Sequence, residues 1–169
     1  MTPRSVTLRA PARQRARDIS ELAVLVRFGA LVVGIAAQRV SRIVMADEAV
    51  AVAGAAPSVR IGDVVLPAWD LGRLLGFSEA PAAWLVMTSS DAPGAPTIAL
   101  GTGPCIAVAP HDAVSPLPPG VVNAPAAAVV GVFVTDPALR ERGAGHLGVR
   151  IDAMRLIAGA APDARRGGR

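Results

Sequence analysis

A mainly β chain built as two small barrels with short helices is the fold class that this sequence predicts, on three observations. Short apolar stretches succeed one another with turn residues every several positions and only brief helical patterns between them, a spacing that favours small barrels over an open parallel sheet. The core-forming residues are small: 52% of the 169 residues are hydrophobic, with Ala and Val prominent and only Phe28, Trp69, Phe77, Trp84 and Phe133 aromatic. And one phrase occurs twice, as Val64-Val65-Leu66-Pro67-Ala68-Trp69-Asp70-Leu71-Gly72-Arg73-Leu74-Leu75-Gly76 and as Leu147-Gly148-Val149-Arg150-Ile151-Asp152-Ala153-Met154-Arg155-Leu156-Ile157-Ala158-Gly159. One β-unit built twice gives two barrels.

Each copy of the phrase reads as a strand, an Asp that ends it, and a short helix. The Asp can accept hydrogen bonds from the free N–H groups of the starting helix. Leu71, Leu74 and Leu75 then share one helical face, as do Ala153, Leu156 and Ile157, and Gly76 and Gly159 suit a left-handed stop. Arg73 and Arg155 follow their Asp by three residues, within reach of an ion pair across a turn. Asp70 and Asp152 are therefore read as matching caps rather than as a paired active site.

The remaining elements follow in order. Residues 24–28 and 31–35 are apolar and flank Gly29-Ala30, the pattern of a tight hairpin. Residues 36–42 suit a short helix or turn leading to a strand at 43–45. Residues 52–57 are small and turn-like, and 59–66 read as a strand or hairpin around Gly62-Asp63. The order then recurs: a strand at 84–87, a Ser89-Ser90-Asp91-Ala92-Pro93-Gly94 loop, a returning strand at 97–100, and a further strand at 105–109. His111-Asp112-Ala113-Val114-Ser115 stands where Gln38-Arg39-Val40-Ser41 stood, followed by a stiff Pro116-Leu117-Pro118-Pro119-Gly120 loop. Residues 129–135 form a β-branched strand, and 136–145 read as a charged hairpin loop before the second phrase.

Charge divides the chain into a domain and two tails. The net charge is +4, yet residues 1–17 hold five Arg and no acid, and residues 163–169 hold three Arg against Asp163. Nine Arg face twelve acids over residues 18–162, a formal charge of −3. Residues 1–20 and 161–169 read as basic, disordered tails around a domain at 21–160. Every cation is Arg and none is Lys, the signature of a GC-rich genome, so the high isoelectric point is a weak signal for nucleic acid. The longest apolar stretches, 28–37 and 124–134, are too short to span a bilayer, the amino terminus lacks a signal-peptide core, and a single Cys105 forms no internal disulfide; the expectation is a cytoplasmic protein without membrane insertion.

Catalytic constellations are not found in the sequence. His111 and His146 are the only histidines, one Cys gives no metal-ligand spacing, and no Gly-x-Ser-x-Gly elbow occurs. Gly101-Thr102-Gly103-Pro104 lacks the Gly-Lys-Ser/Thr that a phosphate loop needs. The expectation is a non-enzymatic protein with no cofactor and no metal.

The ordered set of segments resembles the CheW-like domain of bacterial chemosensory systems. The resemblance is carried by Phe28-Gly29-Ala30-Leu31-Val32-Val33-Gly34-Ile35 with Gln38-Arg39-Val40-Ser41-Arg42-Ile43, by Val64 to Asp70 with Leu71, Leu74 and Leu75, by Gly131-Val132-Phe133-Val134, and by Ile151, Asp152, Leu156 and Ile157. It runs from Glu21 to Ile157. It implies two interlocked barrels of about five strands each and a signal-transduction adaptor that binds the cytoplasmic tip of a chemoreceptor and couples it to a CheA-type histidine kinase. By the same correspondence, partner contact falls on Val40, Arg42, Ile43, Arg60, Val64 and Val65; the valines and Ile43 are also what any barrel core requires.

Two departures stand out. Arg42 occupies a position that is usually acidic in this family, and only Pro57-Ser58-Val59-Arg60-Ile61-Gly62-Asp63 precedes the second strand of the hairpin, without the usual Gly-Val-x-Asn lead-in. The resemblance thus implies a divergent adaptor whose first barrel is shortened, with a weakened or absent strand near Arg60 and kinase coupling lost or altered. The competing class is a small barrel that binds nucleic acid through Arg-rich tails; it wants aromatic platforms among basic residues, whereas the aromatics here lie in apolar contexts.

Overall fold

The computed structural model describes residues 22–54, 56–90, 92–110, 115 and 128–160. His111, Asp112, the 116–120 loop and both Arg-rich tails lie outside the described residues. In chain order the elements are β1 (Leu22–Phe28), β2 (Leu31–Ala36), β3 (Val40–Met45), β4 (Ala49–Val52), β5 (Ser58–Ile61), β6 (Val64–Asp70), α1 (Leu71–Leu74), β7 (Ala83–Thr88), β8 (Thr97–Thr102), β9 (Cys105–Pro110), β10 (Val129–Val134), α2 (Pro137–Glu141), β11 (Leu147–Ile151) and α3 (Ala153–Ala160). Single 3-10 turns at Ala37–Arg39 and Ala46–Glu48 flank β3.

The strands form a five-stranded sheet, β10-β11-β2-β1-β9, and a six-stranded sheet, β3-β7-β8-β6-β5-β4. Connectivity makes the larger sheet curl. β3 and β4 are its two ends, yet only the three-residue turn Ala46–Glu48 separates them in the chain, so the ends are held near each other. On the smaller sheet, Ser115 exchanges two backbone hydrogen bonds with Val132 at the outer edge of β10, N to O at 2.8 and 2.9 Å. The Ser115 bridge covers one point of an edge that would otherwise offer unpaired backbone.

The duplicated phrase has its counterpart in the ladders. Each sheet has one parallel pair, β6 with β8 and β11 with β2, and in each the parallel strand belongs to the phrase. The run β5-β6-β8-β7-β3 has the same strand directions as β10-β11-β2-β1-β9, with β4 added outside β5. The sheets do not follow the sequence halves, however. The smaller sheet takes β1 and β2 from the first half and β9 to β11 from the second, while β7 and β8 join β3 to β6 in the larger one. Each half lends its opening hairpin to the other, which is the physical content of interlocking.

Three cores follow. Val24, Val26, Phe28, Val33, Ile35, Leu71, Leu85, Met87 and Leu100 fill the space between the sheets. Val44, Val59, Ile61, Leu66, Ala68 and Ala99 fill the curl of the larger sheet, and Ala23, Leu25, Val32 and Leu139 that of the smaller. β1 and β2 therefore face apolar surroundings on both sides, which explains their unbroken buried runs, Ala23 to Val26 and Val32 to Ile35.

Both caps form as the phrase predicts. Asp70 Oδ1 accepts from Arg73 N at 3.1 Å, and Asp152 Oδ1 from Met154 N and Arg155 N at 3.1 and 3.2 Å. The Arg73–Asp70 and Arg155–Asp152 ion pairs stand at 3.4 and 3.5 Å. α1 and α3 lie against each other, so the helices of the two phrases meet.

Four expectations need correction. Gly76 has φ +88° and stops α1, but Gly159 lies inside α3 and has no positive φ. Val52, read as the start of a turn, ends strand β4 (Ala49–Val52); the strand's small side chains carry little β signal, but its backbone pairs with β5. The charged loop at 136–145 contains α2, started by Asp136 Oδ1 accepting from Ala138 N at 2.8 Å, with Pro137 supplying the fixed φ of a first helical residue and Leu139 buried beneath it. And β5, although only four residues long, is not lost: it is hydrogen-bonded on both sides and buries Val59 and Ile61, so the free edge falls on β4.

Candidate partner-binding surface

The β5–β6 hairpin places three of the sequence-predicted contact residues together. Gly62, at φ +59°, makes its turn. Arg60 stands opposite Val65, and Ile61 opposite Val64. Alternation sends Val59, Ile61, Leu66 and Ala68 into the barrel and leaves Arg60 and Val65 outside. Val64, the first residue after the turn, is 56% exposed and Val65 53%.

On the other side of Arg60 lies Val50 of β4, 52% exposed. The outcome is a row, Val50-Arg60-Val65, running across three strands on the solvent face of the larger barrel. An exposed guanidinium between two valines can engage a partner that offers an apolar ridge and a carboxylate together.

The other three residues sit on β3, which pairs with β7 at the opposite end of the sheet order. Val40 is half-buried and packs against the core between the sheets. Arg42 is exposed and reaches Glu48 on the following 3-10 turn at 3.8 Å. Ile43 is 39% exposed, and Met45 beyond it is more so, while Val44 between them points into the barrel. A register irregularity between Val40 and Arg42, with Ser41 Oγ donating to Val86 O at 3.0 Å, bends this strand. Arg60, Val64 and Val65 thus form one group and Val40, Arg42 and Ile43 another.

Val50 and Met45 were not legible as surface residues from sequence, because β4 went unread and the 43–45 strand carried no sign of which face is exposed. A further exposed pair, Val134 opposite Leu147, lies at the end of the β10–β11 ladder. In the duplicated phrase Leu147 takes the place of Val65, so Val134–Leu147 on the smaller barrel answers to Arg60–Val65 on the larger.

No chemistry-bearing cluster accompanies these surfaces among the described residues. None of their His, Cys, Asp and Glu residues gather into a group of three that could hold a metal. Cys105 is half-buried, and desolvation pushes its thiol pKa up, away from the reactive thiolate. His146 is exposed and its Nδ1 lies 2.9 Å from an Arg140 Nη1. No helix among the described residues is long and apolar enough to cross a membrane.

Comparison with known proteins gives a structural answer only. No family model and no curated protein sequence matches the chain. The fold is similar to the crystal structure of the scaffolding protein TtCheW from Thermoanaerobacter tengcongensis, with a TM-score of 0.59 at 13% identity, over 90% of this chain and 93% of that one. The chain has the CheW-like fold. On this CheW-like double barrel the Val50-Arg60-Val65 row lies on the six-stranded barrel and the Val134–Leu147 pair on the five-stranded one.

Proposed function

We propose that this chain is a non-enzymatic adaptor of a bacterial chemosensory pathway, working in the cytoplasm, which binds the cytoplasmic tip of a chemoreceptor. The observation that carries the reading is the Val50-Arg60-Val65 row on a CheW-like barrel: an apolar strip with one cation suits a helical tip with an apolar ridge and an acidic residue. Val64, exposed at the hairpin turn beside the strip, adds apolar surface, and Val40, Arg42 and Ile43 on β3 form a second contact.

In this reading the adaptor ordinarily also joins a CheA-type kinase. Arg42, held toward Glu48, presents a cation where the family resemblance leads one to expect an acid, and β5 is four residues long, so kinase coupling is the part that has changed. The test is paired binding of the full chain to a chemoreceptor tip fragment and to the regulatory domain of a CheA-type kinase. Receptor binding with much weaker kinase binding supports this reading. Comparable affinity for both leaves an ordinary coupling adaptor, and binding to neither removes the adaptor function. Salt-sensitive binding to single-stranded DNA that vanishes when residues 1–17 are deleted would assign nucleic acid to the tail alone.

A further inference from the structure

Between the two barrels, where β2 and β11 end, lies a half-open cleft of about 140 Å³. Gln38, Arg39, Arg150 and Asp152 supply its polar lining, and Met87 and Met154 are among its apolar walls. Arg150 stands between Gly34 on β2 and Gly131 on β10, with the ring of Phe133 lying over Gly34 and Gly148 beside it. Its Nε is closed off from solvent and has no hydrogen-bond partner among the described residues. Asp152 is the one acid among the described lining residues, and it is committed elsewhere, to the α3 N–H groups and to Arg155.

A partly buried cation with no anion beside it among the described residues is the unusual feature here, since charges removed from water are normally paired. Burial lowers the Arg150 pKa, although an arginine remains charged throughout the working pH range. The cleft is well below the roughly 300–1,000 Å³ of a small-molecule pocket, a volume suited to one side chain. Its mixture of cation, amide and thioether matches a short apolar stem that ends in a charge.

We propose that this cleft takes a single carboxylate, the acidic side chain of a protein partner, with Arg150 and Gln38 as donors. The identity of the partner rests on the adaptor reading above; the carboxylate site does not. None of the six residues that the family resemblance points to lines this cleft.

The probe is butyrate, which carries one carboxylate on a short apolar stem, added to the full chain while the arginine Nε–H signals are followed by NMR. A saturable shift of the Arg150 signal with Kd on the order of 10 mM is expected. Butyramide, the neutral isostere, should give no saturable shift. In Arg150→Gln the butyrate response of the neighbouring backbone amides should weaken at least tenfold, and in Arg73→Gln, which removes an exposed arginine outside the cleft, it should persist. Should Arg150→Gln fail to fold by circular dichroism, Arg150→Lys, which keeps the charge but loses the planar fork, should still bind more weakly than the parent.

No saturable shift, an equal response to butyramide, or undiminished binding in the Arg150 variants would overturn the proposal. A stronger response to inorganic phosphate would also overturn it, in favour of a free-anion site. If butyrate binds but does not compete with a receptor tip fragment, the site stands and the receptor is not its source.

Discussion

Arg60 on β5 stands directly opposite Val65 on β6, both on the solvent side of a hairpin in which Val59, Ile61 and Leu66 are buried. Because only backbone pairing and the barrel face hold them, their side chains are free of core duties. Arg60→Glu should therefore lower affinity for a chemoreceptor tip fragment at least tenfold while leaving the melting temperature within about 2 °C, as exposed substitutions usually change stability by under ~0.5 kcal/mol. Val65→Asp should do the same. Val134→Asp, equally exposed on the other barrel, should leave receptor affinity unchanged, and a loss there equal to that of Arg60→Glu would count against the assigned surface.

Two glycines of the second phrase should respond to alanine with opposite signs. A methyl on Gly148 would overlap the ring of Phe133, its partner across the β10–β11 ladder, so Gly148→Ala should destabilise by about 1–3 kcal/mol. Gly159 lies in α3 with open space around it, so Gly159→Ala should stabilise by about 0.5–1 kcal/mol. Chemical denaturation of both variants measures the difference, and a shift of the same sign in each would contradict the placement of α3.

The matching caps permit a further comparison. Asp152→Ala removes an acceptor for two α3 N–H groups and should cost about 1 kcal/mol, with Asp70→Ala at α1 costing the same or less, since Asp70 receives one. Arg155→Ala and Arg73→Ala break only exposed ion pairs and should cost under about 0.5 kcal/mol. Arginine variants as damaging as the aspartate ones would show that the pair, rather than the cap, holds the junction.

Cys105 gives stability a pH dependence of clear direction. Burial raises its thiol pKa in the folded chain, so the unfolded chain ionises first as pH rises. The folded state then retains a proton that the unfolded state has lost, and stability falls as pH climbs from about 8.5, where free thiols ionise, through the higher folded value. Below that window the contribution is fully present. Cys105→Ala should flatten the alkaline limb of the stability profile, and alkylation of the folded chain at pH 8 should be slower than that of a small free thiol. Alkylation as fast as that of the small thiol would contradict the burial.

Much of this architecture was written locally. The Asp-x-x-Arg-Leu spacing gave both strand-to-helix junctions, and Gly29 and Gly62 marked two hairpin turns that the backbone confirms with positive φ. β4 was missed because Ala49-Val50-Ala51-Val52 acquires its strand from β5 and not from its own side chains. α2 was missed because its charged residues hid an Asp-Pro start that depends on one buried leucine, Leu139. The exposed row was half-legible: Arg60 and Val65 could be named, but Val50 becomes their neighbour only once β4 pairs. Nor could spacing alone show that Arg150 stands between two glycines, since Gly34 and Gly131 come from opposite ends of the chain.

That exchange between halves has a consequence for fragments. Cleaving the chain between α1 and β7, at the exposed Ser78–Ala80 stretch, separates β1 and β2 from β9 to β11, and β7 and β8 from β3 to β6. Each fragment then lacks strands for both sheets, and the core between the sheets is divided, with Val26, Ile35 and Leu71 on one piece and Leu85, Leu100 and Ile157 on the other. Neither fragment can close a curled sheet alone, whereas together they restore every ladder. Residues 1–79 and 80–169 expressed separately should lack cooperative unfolding, and mixed at equal concentration they should form a one-to-one complex with the circular dichroism of the intact chain. A cooperative transition in either isolated fragment would mean that its strands re-pair within one half, and the interlocked topology would then be dispensable for folding.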